Sequence, residues 1–177
     1  MVNEIKKNSC CIIGHRKINS EELQLKLKNL FLDLINKENV TIFNFGKLGE
    51  FNDLCYKILI GIKKENPSIK LIVYALSDEI VYTFEEAEDY RNKYNRKEKE
   101  FKFKCFDEII ELRDIDETKF KYACVLRNKQ IIDNSDLCVI YYKENYTLPS
   151  KNSQIRNSGT KIAYEYASKQ NKKIIIP

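Results

Sequence analysis

The sequence predicts an α/β fold: a mostly parallel β-sheet flanked by helices on both faces. Two observations carry that expectation. Short apolar runs alternate along the chain with longer amphipathic stretches, the rhythm of strand, crossover helix, strand. Several of the short runs are apolar at nearly every position, as strands become when both faces of a sheet are covered. The chain has 177 residues and no linker long enough to divide it, so 1–177 reads as a single domain.

The elements follow in order. Ser9 to Gly14 reads as the first strand. Ser20, with Glu22 behind it and Leu23, Leu25, Leu27, Leu30, Phe31 and Leu34 following, marks an N-capped amphipathic helix. Thr41 to Phe45 is a second strand, closed by Gly46, and from Phe51 to Lys63 the apolar positions return at helical spacing until Asn66-Pro67. Lys70 to Ala75 is a third, almost wholly apolar strand. Glu85 to about Lys99 is strongly charged and reads as a helix; the basic continuation to Lys104 reads as an exposed face, with a mobile flap as the alternative. Glu108 to Glu111 fits a short strand, and Phe120 to Asp133 a helix. Asp136 leads into the strand Leu137 to Tyr142; Lys143 to Asn157 is a polar loop. Thr160 to Lys169 gives the last helix and Lys173 to Ile176 the last strand. Strands alternating with helices in this way make the fold Rossmann-like.

Composition excludes several classes of protein. Hydrophobic residues make up 43% and charged residues 32% of the chain, enough for a core and a hydrated surface. The net charge of +5 comes from 31 Lys and Arg against 26 Asp and Glu, with both signs interspersed, so a dedicated nucleic-acid surface is not expected. Charged residues before Cys10 and the shortness of the run to Ile13 argue against a secretory signal. No apolar run is long enough to span a membrane. These readings place the chain in the cytoplasm, where its six cysteines stay reduced. Only Cys10 and Cys11 are adjacent, no Cys-x-x-Cys occurs and His15 is the single histidine. The thiols therefore read as small buried hydrophobes; no metal site is expected. No motif calls for a cofactor.

In open parallel sheets, ligands bind beyond the carboxyl ends of the strands. Three glycine-containing turns fall at such positions. After the first strand come Gly14, His15 and Arg16: glycine admits a close approach, and Arg16 either forks onto a phosphate or remains a hydrated charge. His15 reads as a ligand contact or a structural residue, since no nucleophile accompanies it. After the second strand, Gly46 and Gly49 leave backbone N–H groups to face a ligand, although the Gly-Lys-Ser/Thr of a Walker loop is absent. Glu50 and Asp53 either accept from ribose hydroxyls or favour a helix N-terminus. The third turn, Ser158-Gly159-Thr160, opens the last helix, where free N–H groups and hydroxyls suit phosphate or simply cap the helix. Arg127 and Asn128 lie on the helix before the fifth apolar strand, where Arg127 borders the site or is merely a surface charge, and Tyr142 either stacks on a base or packs in the core.

Taken together, these residues resemble the SLOG superfamily, which joins Smf-type DNA-processing proteins with the Lonely-Guy phosphoribohydrolases, and within it the YpsA and YoqJ type of bacterial protein. The likeness runs through Cys11 to Arg16, Phe43 to Gly46 and Gly49 to Phe51. It continues in Arg127-Asn128 with Asp133 to Asp136, and ends on Ser158 to Ala167. The resemblance implies a pocket for nucleotide-derived ligands such as ADP-ribose, with Gly14, Arg16, Gly46, Gly49, Ser158, Gly159 and Thr160 in its binding loops and Arg127-Asn128 at its border. Two departures stand out. Asn52 replaces an aspartate frequent in that branch. The phosphoribohydrolase turn is Gly-Gly-x-Gly-Thr with a glutamate close behind, whereas here Asn157 and Ser158 replace glycines, Ile162 and Ala163 occupy the glutamate positions, and Glu165 lies further on. The leading expectation is binding or sensing of a nucleotide-derived small molecule. An N-glycosidase of nucleoside monophosphates, and a DNA-associated or protein-interaction module using Arg91 to Lys104, are the alternatives. Self-association stays open.

Overall fold

The computed structural model of the protein describes residues 8–46, 49–76, 106–112, 115, 120–144 and 158–177. Its elements run β1 (Asn8–Gly14), α1 (Ser20–Glu38), β2 (Val40–Phe45), α2 (Glu50–Glu65), β3 (Lys70–Leu76), β4 (Glu108–Leu112), α3 (Phe120–Asp133), β5 (Leu137–Tyr141), α4 (Gly159–Lys169) and β6 (Lys173–Ile175). Every strand and helix expected on these residues is present, with ends shifted by one or two positions. The expected helix over 85–99, the basic run 91–104 and residues 145–157 of the polar loop lie outside the described residues, as do Lys47 and Leu48. One cap differs. Ser20 is the first helical residue of α1, and Asn19 occupies the cap without a side-chain hydrogen bond.

The six strands form one sheet in the order β4-β3-β2-β1-β5-β6, and all neighbours are parallel. The fold is therefore α/β and Rossmann-like. Successive residues of a strand point to opposite faces, so β1 feeds two cores at once. Cys10 and Ile12 pack with Leu27, Phe31, Phe43, Phe51 and Leu59 beneath α1 and α2. Cys11 and Ile13 pack with Ala123, Ile131, Ile140 and Ala163 beneath α3 and α4. This two-sided burial is why β1, β3 and β5 are apolar almost throughout. It also makes ordinary core residues of Cys10, Cys11, Cys55 and Cys138, all buried free thiols; desolvation pushes the Cys10, Cys11 and Cys55 thiols well up, holding them protonated.

Parallel strands have no hairpin to set their register. Here two aspartates, each one residue before a strand, do it in the same way. The Asp136 backbone N–H donates to the Ser9 carbonyl at 2.9 Å, and its carboxylate accepts from the Ser9 N–H at 2.9 Å and the Ser9 hydroxyl at 3.0 Å. Asp107 repeats the pattern: its N–H donates to the Leu71 carbonyl at 2.9 Å and its carboxylate accepts from the Leu71 N–H at 2.7 Å. Lys63 of α2 closes on the same carboxylate at 2.7 Å. Burial works to raise the Asp107 carboxyl, but the Leu71 N–H and Lys63 outweigh it and hold it below the usual carboxylate range. The Asp136 clamp pins β1 to β5 so that Cys10 faces Leu137 and Gly14 faces Tyr141.

Asp136→Ala is expected to lower stability by about 1.5–3 kcal/mol, the range for hydrogen bonds to a charged acceptor, and Asp136→Asn by less because one acceptor remains. Urea denaturation measures both; an alanine variant as stable as the parent would show that the β1–β5 register is fixed elsewhere.

Candidate functional site

Strand order fixes where a site belongs. β1 lies between β2 and β5. The chain leaves β1 through α1 toward β2, and leaves β5 through α4 toward β6, in the opposite direction along the sheet. The helices pack on opposite faces. Such a reversal opens a crevice between two strand ends, the usual ligand position in an open parallel sheet. The turns after β1 and β2, singled out in the sequence, lie side by side at this end of the sheet, and Lys143 beyond β5 is hydrogen-bonded to the first of them.

Gly14 ends β1 for a packing reason. A Cβ there would overlap the Phe51 ring and lie 2.8 Å from the Phe51 Cβ. Phe51, in the first turn of α2, stacks on Tyr141 with ring centroids 5.2 Å apart. His15 is only 2% exposed; its Nε2 accepts from the Lys143 N–H at 2.9 Å, and its ring lies 6.1 Å from Tyr141 and 6.0 Å from Tyr142. Tyr142 in turn stacks on Tyr164 of α4 at 5.1 Å. Phe51, Tyr141, His15, Tyr142 and Tyr164 thus form a row across the carboxyl end of the sheet, from one helical layer to the other. Arg16, beside this row, is exposed.

The second turn closes against the first. A Cβ on Gly49 would come 3.3 Å from the Arg16 Cα, and the Glu50 N–H donates to the Arg16 carbonyl at 3.1 Å. Glu50 commits both carboxylate oxygens to its surroundings: Oε1 to Lys17 and Oε2 to the Ile18 N–H at 3.0 Å. The Lys17 ammonium and that N–H hold the carboxyl below its usual range. Asn52, buried beneath, donates from Nδ2 to the Ile12 carbonyl at 3.4 Å. An ionised aspartate has no proton to donate there, which accounts for asparagine at this position. Gly46 has a different neighbour: a Cβ would meet the Arg127 Nε and the Ile131 Cδ1, each at 3.2 Å. Arg127 is 3% exposed and reaches the Cys124 Sγ from Nη2 at 3.7 Å. Asn128, next on α3, is half-buried.

At the third turn Ser158 caps α4, its hydroxyl accepting from the Lys161 N–H at 3.1 Å. Thr160 is buried. Gly159 is exposed, and a Cβ there meets nothing within 4 Å; it stands at the open start of a helix whose dipole favours anions. Glu165 points along the helix surface, 3.8 Å from Lys161.

No family model matches the chain. No curated protein does either.

The structure therefore gathers the predicted residues at one edge but divides their work. Gly14, Gly49, Glu50 and Ser158 hold the turns together; Arg16 and Gly159 are exposed, and Arg127 and Thr160 are buried. Sequence reasoning missed Phe51, Tyr141 and Tyr164. Phe51 lies in the first turn of α2, Tyr141 ends β5 and Tyr164 lies midway along α4, and aromatics in such places ordinarily read as core. Among the described residues no cluster of three His, Cys, Asp or Glu could hold a metal, and no helix is long and apolar enough to cross a membrane.

Gly14→Ala is expected to cost about 1–3 kcal/mol through overpacking and distinctly less in a Phe51→Ala background. A double-mutant cycle by urea denaturation measures the coupling; equal costs in both backgrounds would deny that Phe51 is what excludes a side chain at position 14.

Proposed function

We propose that the protein binds or senses a nucleotide-derived ligand of the ADP-ribose kind over the carboxyl ends of β1 and β5, with no chemistry of its own. The observation that carries this reading is the placement of the α4 start at the reversal point of the sheet, with Arg16 exposed on the turn after β1 and Arg127 of α3 packed against Gly46 after β2. Helix N-termini and arginines together suit a pyrophosphate, and crevices at such reversal points take nucleotides in folds of this architecture. The resemblance to the SLOG superfamily points to the same ligand class. Of Glu50, Asp53 and Glu165, the carboxylates an N-glycosidase would recruit, Glu50 and Glu165 are engaged with Lys17 and Lys161, which favours holding a nucleotide over cleaving one.

Gly159 offers the sharpest test. It lies in open space, so Gly159→Glu fits without strain, and an acid in the first turn suits the helix; the same charge opposes a bound phosphate. The variant is expected to melt no lower than the parent yet to lose stabilisation by ADP-ribose, AMP or NAD, which for the parent amounts to about 2.7 kcal/mol at a hundredfold excess over Kd. Thermal shift across that panel reads both. Absence of any shift in the parent would sink the proposal, and a full shift in Gly159→Glu would move the site away from α4.

A further inference from the structure

We infer that His15 is a protonation-sensitive positioning residue: its neutral imidazole latches the exit of β5 to the turn after β1, and its protonation releases that exit. The inference goes beyond the ligand reading, and its bearing on affinity rests on it. The geometry is specific. Nε2 accepts a hydrogen bond from the Lys143 backbone N–H at 2.9 Å, and a ring nitrogen that accepts carries no proton, so the imidazole is neutral with its proton on Nδ1. Lys143 is the second residue beyond β5, at the root of the segment that leads to α4. The bond therefore joins the two turns that border the crevice, across 128 positions of sequence. Protonation of Nε2 would set an N–H against an N–H, and the bond cannot survive it.

The surroundings favour the neutral form. Tyr141 and Tyr142 flank the ring, and Tyr164 of α4 backs Tyr142. Lys143 carries its ammonium over the Tyr141 ring at 5.4 Å. Arg16 and Lys17 follow on the same turn, with Glu50 of α2 committed to Lys17. Burial, the largest influence, pushes the imidazole below its ordinary 6.5. The unfolded chain then binds more protons than the folded one as pH falls past 6.5. The latch's contribution to stability is complete above that pH and is lost as pH falls through the folded value.

Because the chain has one histidine, its Hε1 resonance is unambiguous. An NMR titration from pH 8 to pH 5 is expected to show the Lys143 amide shifting with the same midpoint as Hε1, below 6.5. In His15→Gln, whose amide oxygen reaches a similar place but does not ionise, the amide step disappears. A Lys143 amide that passes unchanged through the His15 midpoint, or a step that persists in His15→Gln, would overturn the latch. With ADP-ribose as probe at pH 8, His15→Ala is expected to weaken binding about five- to tenfold, the worth of one hydrogen bond, and His15→Gln to recover part of the loss. Equal affinity in His15→Ala and the parent would deny its positioning role. Failure of the parent to bind any of the nucleotides sinks the ligand reading alone, since the amide titration uses no ligand and decides the latch by itself.

Discussion

The pairing of β1 with β5 is the constraint on which the rest of the molecule depends. It joins strands more than a hundred residues apart in sequence, and the Asp136 carboxylate and N–H secure it at its amino end. Everything at the opposite end inherits that alignment. With Cys10 level with Leu137, Gly14 comes level with Tyr141, and the turns that follow are brought side by side. A slip of one residue would send the side chains of β5 to the wrong layers, exchanging the apolar partners of α1 with those of α3 and α4. The register is thus a condition for two cores and for the crevice together.

The crevice end is built from packing as much as from polarity. A glycine at the end of β1 makes room for Phe51, Phe51 lies flat on Tyr141, and His15 and Tyr142 extend the row to Tyr164. Offset and edge-on aromatic pairs of this kind add about 0.5–1.5 kcal/mol each beyond their buried area. The row ties α2 on one layer to α4 on the other. Polar groups then lock the turns: Glu50 reaches Lys17 and Ile18, and Asn52 reaches Ile12.

Much of this architecture was legible in the sequence because it depends on local pattern. Strands covered on both faces must be apolar throughout, so Leu71 to Ala75 and Leu137 to Tyr141 declare themselves. Helices with one buried face must repeat at helical spacing, as Cys55, Leu59 and Ile62 do. The turns were equally visible, since glycine and small polar residues mark strand-to-helix junctions. What each turn residue does was not legible, because that depends on a partner distant in sequence. Gly14 admits a phenyl ring 37 positions on, Glu50 serves a lysine 33 positions back, and the role of His15 rests on an N–H beyond β5. The aspartates before β4 and β5 belong to the same class: one acid ahead of an apolar run looks like ordinary punctuation until the neighbouring strand is in place.

The contrast between Gly14 and Gly159 bears on how relatives of this chain should be compared. One of these glycines ends β1 and the other opens α4; the first is required by a ring pressed against it and the second faces open space. A glycine retained at position 14 across divergent sequences reports only that the aromatic partner has been retained with it. Position 159 is free of that obligation, so its evolutionary history is the more informative one. A small, uncharged residue there leaves the helix start open, and an acid there adds a negative charge beside the first helical N–H groups while leaving the scaffold intact.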